Sequence, residues 1–461
     1  MSRVVIGLLL FYVASLPAAE WRYEARFDVQ TETLQVDVCA PAGEPLNLVA
    51  LDAAAFDYLL DQPEWSLDRQ RSRMQWQGKG CGRYSVALGQ AADAGMSERG
   101  YRIGPDLMVW PTSWLWWPPE RDARLRLLVQ LPPGWSFSSP WPQPDPARLE
   151  FTLGTWPRYW SALTVFGKSP IERIAQTGGE LQLSILGDLS TAQRQKLHDW
   201  VVQISKLPQL VIGRLPSRRA QILVVPMRAR GGGPVPWAQV YRGGFGAAHF
   251  FVDPAASVQE FREDWTGAHE ISHLLHPYLG PGGSWMGEGL ASYMQNVLRA
   301  RAGILSPEDA WERLIAGFER GRKDAARDRS LAQVSEGMHR SRAFMRVYWS
   351  GAAYWLAADV ELRRRSARKL SLDDALSRFA RCCLPANEAW SPARFARALD
   401  REIGLAHFEA AAVTAAAATN FPDLDALYRD LGIQLNERRQ VIGFSDDAPL
   451  AGIRRQILEK R

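Results

Sequence analysis

Three of the seven histidines lie within eight residues, at His269, His273 and His276, and this cluster restricts the local fold more than any other feature of the chain. His269 and His273 are four apart, so on a helix they share one face about one turn apart. Two imidazoles so placed can bind one ion. Glu270 sits beside the first of them, where it can reach a water held on that ion without being a ligand. A His-Glu-x-x-His run arises by chance in on the order of 1% of chains of this length and composition. The competing reading is an ordinary amphipathic helix with surface histidines.

A second segment favours the metal reading. A catalytic zinc takes three protein donors and keeps one position open. Trp285-Met-Gly-Glu288-Gly-Leu-Ala-Ser-Tyr293 supplies a candidate third donor in Glu288, separated from His273 by fourteen residues. Pro277, Gly280, Pro281, Gly282 and Gly283 lie between and force a turn. A helix carrying Glu288 can then return onto the first. His276 competes for the same role, since it lies seven residues after His269. Tyr293 reads as a packing residue.

These residues resemble the gluzincins, which include thermolysin, aminopeptidase N and glycyl aminopeptidase, and the glycyl aminopeptidase family is the nearest in pattern. Val347-Tyr348-Trp349-Ser350-Gly351 is similar to the Tyr-x-x-Gly segment of aminopeptidase-type members. The resemblance spans residues 180 to 435. It implies a thermolysin-like domain, one zinc ion held by His269, His273 and Glu288, Glu270 as general base, and Tyr348 as a donor to the transition-state oxyanion. Two departures stand out. The family's upstream strand carries a glutamate for the substrate amine, whereas Arg242-Gly-Gly-Phe-Gly-Ala-Ala-His-Phe250 has none. Members often carry a C-terminal PDZ domain, and here only Ala448-Pro-Leu-Ala-Gly-Ile453 falls where one would start.

The rest of the chain reads as multidomain α+β. A signal peptide is expected over residues 1–19: Arg3, an apolar run to Ala14, then small residues before Glu20. The working protein is then periplasmic or secreted, and no later run is long enough to remain in a membrane. Residues 20–165 alternate apolar and polar in short runs, as in Thr33-Leu-Gln-Val-Asp-Val38, and predict a β-sandwich-like domain. Cys39 and Cys81 fall within it and are expected to pair; adjacent Cys382 and Cys383 read as structural or free. The Trp110–Pro119 run, from a chain with 19 tryptophans, could grip a ligand but reads first as packing.

Residues 166–305 form the expected catalytic domain. It contains a helix after Ser190, strands at Ala220–Pro226 and Ala248–Asp253, and Gly-rich loops that lack a phosphate-binding ending. Residues 306–461 read as helical, with starts at Ser306-Pro307, Ser371–Asp374 and Ser391-Pro392, and a short strand and tail after 437.

A formal charge of +5 over 461 residues, without a Lys/Arg block, excludes nucleic acid as a partner on composition. The expected partner is a peptide or protein substrate. The sequence leaves two other functions open: a zinc hydrolase of a non-peptide substrate on the same site, and a non-catalytic exported binding protein using the Trp-rich β-domain.

Overall fold

A computed structural model of the chain describes residues 20–460 except 96–99, 155–159, 161, 229–230, 232 and 325–327. The expected signal peptide lies outside the described residues. The fold is α+β with several sheets and a helical C-terminal region. Two compact units are present. One consists of the described residues of Met1–Leu88, Thr112–Pro132 and Pro142–Thr155, the other of those of Gly89–Pro111, Pro133–Trp141 and Trp156–Arg461.

The first unit holds a five-stranded sheet in the order Glu150–Leu153, Arg124–Gln130, Glu20–Asp28, Thr33–Cys39, Gly82–Ala87. Period-two alternation sends Trp21, Tyr23, Ala25 and Phe27 inward from one strand, and Leu34, Val36 and Val38 from the next. A three-stranded sheet contributes Trp65, whose ring lies where a Cβ on Gly82 would be, 2.6 Å away. Its indole donates to the Arg83 carbonyl at 2.7 Å. Trp114, Trp116 and Trp117 are all buried, and Trp116 meets Phe56 edge-on at 4.8 Å. Their indole area goes into this core and not onto a surface that could stack on a ligand. Cys39 and Cys81 are disulfide-bonded, as expected from their shared segment; Cys382 and Cys383 are bonded to each other.

The second unit is built on a five-stranded sheet in the order Glu172–Gln176, Gly179–Ile185, Arg219–Pro226, Ala247–Val252, Trp237–Tyr241. Its three central strands run parallel and its outer strands antiparallel. The two central strands Arg219–Pro226 and Ala247–Val252 are almost continuously apolar because both faces are covered. Ile222, Val224 and Phe250 face a helical layer that includes Trp200, Val201 and Ile204 of helix Thr191–Ser205. Leu223, Val225 and Phe251 face Met108 and Val165 of a four-stranded sheet. Asp106 joins these two sheets: its buried carboxylate accepts from the backbone of Lys168, Ser169 and Gly187.

The helices that follow belong to the same core, which runs continuously from Leu181 to Leu458. Ser306, Ser371 and Ser391 cap helices as their spacing predicts, each side chain accepting from the backbone three residues on. The expected strand after residue 437 is present, but the tail is helical. After the hairpin Ile433–Leu435 and Val441–Phe444 comes a helix, Ala451–Leu458. Ile453 and Ile457, one turn apart, bury its inner face, and Arg301 donates twice to the Ile457 carbonyl. Among the described residues no helix is long and apolar enough to cross a membrane.

Candidate active site

The His-Glu-Ile-Ser-His run folds as its spacing predicts. Helix Thr266–Ser272 carries His269 and Glu270, and a single tighter turn, His273–Leu275, continues it. Asp264 accepts from the free backbone N–H of Thr266 at 2.8 Å and so closes the helix start. Gly267 has no room for a side chain, because a Cβ would lie 2.8 Å from the Trp200 indole. The helix is therefore seated directly on the layer that covers the sheet.

Gly280, at φ 69°, begins the reversal, and Pro281–Gly283 leads into helix Ser284–Arg301. Ser335 fixes this turn by donating to the Pro281 carbonyl and accepting from the Trp285 amide. A third helix, Phe344–Arg365, crosses the second at Gly289 and Gly351. A Cβ on Gly351 would lie 1.7 Å from the Trp285 carbonyl, and one on Gly289 would lie 2.4 Å from Gly351 Cα. The glycines in the two short segments thus have a steric role: they let the backbones touch. That contact brings Glu288, next to Gly289, and Tyr348, three residues before Gly351, to the same place.

The three expected donors converge. One ligand atom from each of His269, His273 and Glu288 lies within 4.8 Å of the others. Glu288 Oε2 is 3.1 Å from His269 Nε2 and 3.4 Å from His273 Nε2. Hydrogen bonds behind the rings assign the tautomers. Pro277 O can only accept, so His276 Nδ1 donates to it at 2.7 Å. Neutral His276 then accepts at Nε2 from His273 Nδ1 at 3.0 Å. His269 Nδ1 donates to Gln295 Oε1 at 2.9 Å. Both histidines direct Nε2 at Glu288: protonated, it donates to the carboxylate; deprotonated, it offers a lone pair to an ion. This donor set, two imidazoles with oriented outer nitrogens and one carboxylate, suits zinc with a position open.

His276 therefore stands behind His273 as its hydrogen-bond partner and not among the three converging donors. Burial, Arg242 and His273 together hold it well below the usual imidazole range, which keeps it neutral and able to accept. Burial pushes the Glu288 carboxyl up, but His273 and His269 outweigh it and hold the group well below its usual range. Glu288 is thus a carboxylate at neutral pH.

Glu270 and Tyr348 share a cavity of about 380 Å³ with His273 and Glu288. Burial raises the Glu270 carboxyl above its usual range, against the pull of His273 and His269. Such a shift makes a carboxylate a better proton acceptor. The Tyr348 ring lies parallel to His269 at 5.9 Å. Burial and the nearby Glu288 and Glu270 charges push its phenol up, so it remains a donor. Tyr293 faces away, hydrogen-bonded to Asp359 at 3.2 Å in the core, which fits the packing reading.

Two findings are not readable from the sequence. The strand bordering the cavity is the sheet edge Trp237–Tyr241, which precedes the stretch beginning at Arg242 that the family pattern suggests; the strand within that stretch, Ala247–Val252, is interior to the sheet. The edge strand, Trp237-Ala-Gln-Val-Tyr241, also has no glutamate. Arg242 follows it, enters the cavity and donates to the His273 carbonyl at 3.1 Å. Neither its position nor that of Gln295 carries a motif signal; both are set by tertiary packing.

No family model and no curated protein matches this sequence. Solved structures do. An aminopeptidase N family protein from Idiomarina loihiensis superposes with a TM-score of 0.65 at 14% identity, over 93% of this chain and 82% of that one. An M1 zinc metallopeptidase from Deinococcus radiodurans gives 0.51 at 14% identity, over 88% and 95%. A glutamate-to-alanine variant of a two-domain M1 zinc metallopeptidase bound to L-arginine gives 0.53 at 13%, over 88% and 94%. At such identities the likeness is one of architecture, and it extends over most of each chain. The chain has the fold of the aminopeptidase N-like zinc metallopeptidases.

Proposed function

We propose that this chain is an exported zinc-dependent peptidase. The observation that carries the reading is the convergence of His269 Nε2, His273 Nε2 and a Glu288 oxygen at a cavity that also contains Glu270. The solved structures of like fold include zinc metallopeptidases, which supports the same metal and reaction class. One zinc ion held by the three donors would polarise a water and the substrate carbonyl.

The remaining chemistry belongs to the chain. Glu270, raised by burial, takes the proton from the attacking water and returns it to the leaving amine. Tyr348, kept protonated, donates to the oxyanion as it develops. The strand Trp237–Tyr241 is the sheet edge among the described residues, and an extended peptide can lie along it. On the reading of residues 1–19 as a signal peptide, the enzyme works in the periplasm or outside the cell.

The test is mass-spectrometric mapping of products from a mixed peptide pool. Zinc-loaded wild type is expected to cleave. Glu270→Gln is expected to cleave about 10²–10⁴-fold more slowly with its zinc content unchanged. Full activity in the variant would remove Glu270 from its role, and inert zinc-loaded wild type would overturn the peptidase reading.

A further inference from the structure

Arg242, Glu270 and Glu288 are the carboxylate and guanidinium side chains among the described residues that line the cavity. The proposed reaction uses both carboxylates, one as a ligand and one as a base. It leaves the guanidinium without a task.

Arg242 is held at the end of the edge strand by two contacts on its inner side. Nη2 donates to the His273 carbonyl at 3.1 Å, and the group lies 5.9 Å from the centroid of the Tyr278 ring. Among the described residues no carboxylate lies within ion-pair distance of it. A guanidinium has five N–H donors, so most of its capacity is uncommitted. The side chain is half-buried and lines the metal cavity on one side and a smaller cavity beside Leu384 and Pro385 on the other. Burial lowers it to about 10, which still leaves it cationic at neutral pH.

A planar cation with open N–H groups in a partly desolvated cleft matches a carboxylate, which it can grip through two parallel hydrogen bonds. The opposite match is missing: with Glu270 and Glu288 engaged, no lining carboxylate among the described residues is left for a substrate ammonium. We propose that Arg242 anchors the substrate by a carboxylate, so that the enzyme selects peptides carrying either a free C-terminus or an acidic side chain close to the scissile bond. The scissile bond in this statement rests on the peptidase reading; the anion site does not.

The test uses zinc-loaded Glu270→Gln protein, in which turnover is slowed enough for binding to be measured, and calorimetric Kd values for three versions of one peptide. These are the free acid, the C-terminal amide, and the amide with one Asn replaced by Asp. The free acid or the Asp peptide is expected to bind about 10–100-fold more tightly than the neutral amide, the gain of one charge-assisted pair. Which of the two gains identifies the source of the carboxylate. Adding Arg242→Met should abolish the preference and leave the neutral amide within about twofold, while Arg242→Lys should keep part of it. Zinc content is measured in each protein.

Equal affinity for all three peptides in the Arg242-intact protein overturns the proposal without recourse to a variant. A preference that survives Arg242→Met with zinc retained belongs to the metal and also overturns it. If wild type cleaves nothing yet the preference depends on Arg242, the anion site stands and the peptidase reading falls. If wild type cleaves without any preference for the acids, the peptidase reading stands and the anion site falls.

Discussion

Each unit contains a five-stranded sheet, and the two sheets are put to different uses. In the first, alternate residues of Glu20–Asp28 and Thr33–Cys39 turn outward into a lattice of charges. Arg26 and Arg83 both pair with Asp37, and Arg126 pairs with Glu20 and Glu150. In the second, Arg219–Pro226 is buried from Ala220 to Val225, and the polar groups it buries are paired inside, Gln221 with His249 and Ser138. A sheet with one wet face can spread charge across it at little cost. A sheet covered on both faces has to satisfy each polar group internally, and the cavity borders its edge strand Trp237–Tyr241.

This contrast can be tested by substitution. Leu223→Ala in the covered strand should cost about 2–5 kcal/mol, since its side chain is fully buried against Met108 and Val165. A chemical denaturation midpoint would show this, and a loss under about 1 kcal/mol would mean that the face beneath Met108 and Val165 is loosely filled. Next in size is His276→Leu, which removes the acceptor behind His273 without touching the three donors. Zinc affinity should fall about 10–100-fold in a chelator competition. Unchanged affinity would show that the ring behind His273 plays no part in fixing it. The smallest effect is expected for Arg26→Ala on the wet face, about 0–1 kcal/mol. Its partners Glu24 and Asp37 stay partly solvated, and the loss should shrink further in high salt. A larger or salt-insensitive loss would mean that this lattice is more than a solvated surface.

The sequence is most legible where chemistry and local periodicity coincide. The four-residue spacing of His269 and His273 fixes a shared face whatever surrounds it. The proline and glycine run after His276 requires a reversal, and serine caps mark helix starts by a local hydrogen bond. His276 is ambiguous in sequence because spacing alone does not tell a donor to a metal from an acceptor behind one. The direction of its hydrogen bonds, set by the Pro277 carbonyl, tells them apart. The cavity-bordering strand is hard to place for a related reason. Trp237–Tyr241 and Ala247–Val252 are both short apolar runs, and only strand order says which is the edge. Arg242 reads as a loop residue because nothing local indicates that it turns inward beneath the motif helix.

The contact of Gly289 with Gly351 has a consequence for how such a site can change over time. Glu288 and Tyr348 take their separation from the point where two helices meet, one residue from the first and three from the second. A substitution at that crossing would move both groups together, so the chemistry cannot be adjusted by small independent steps there. On the proposed function, variation that spares both groups can enter from the other wall, along Trp237–Arg242. Drift in preference for substrates is therefore separable from drift in the ability to turn them over, and a lineage can explore the first while the second is held constant.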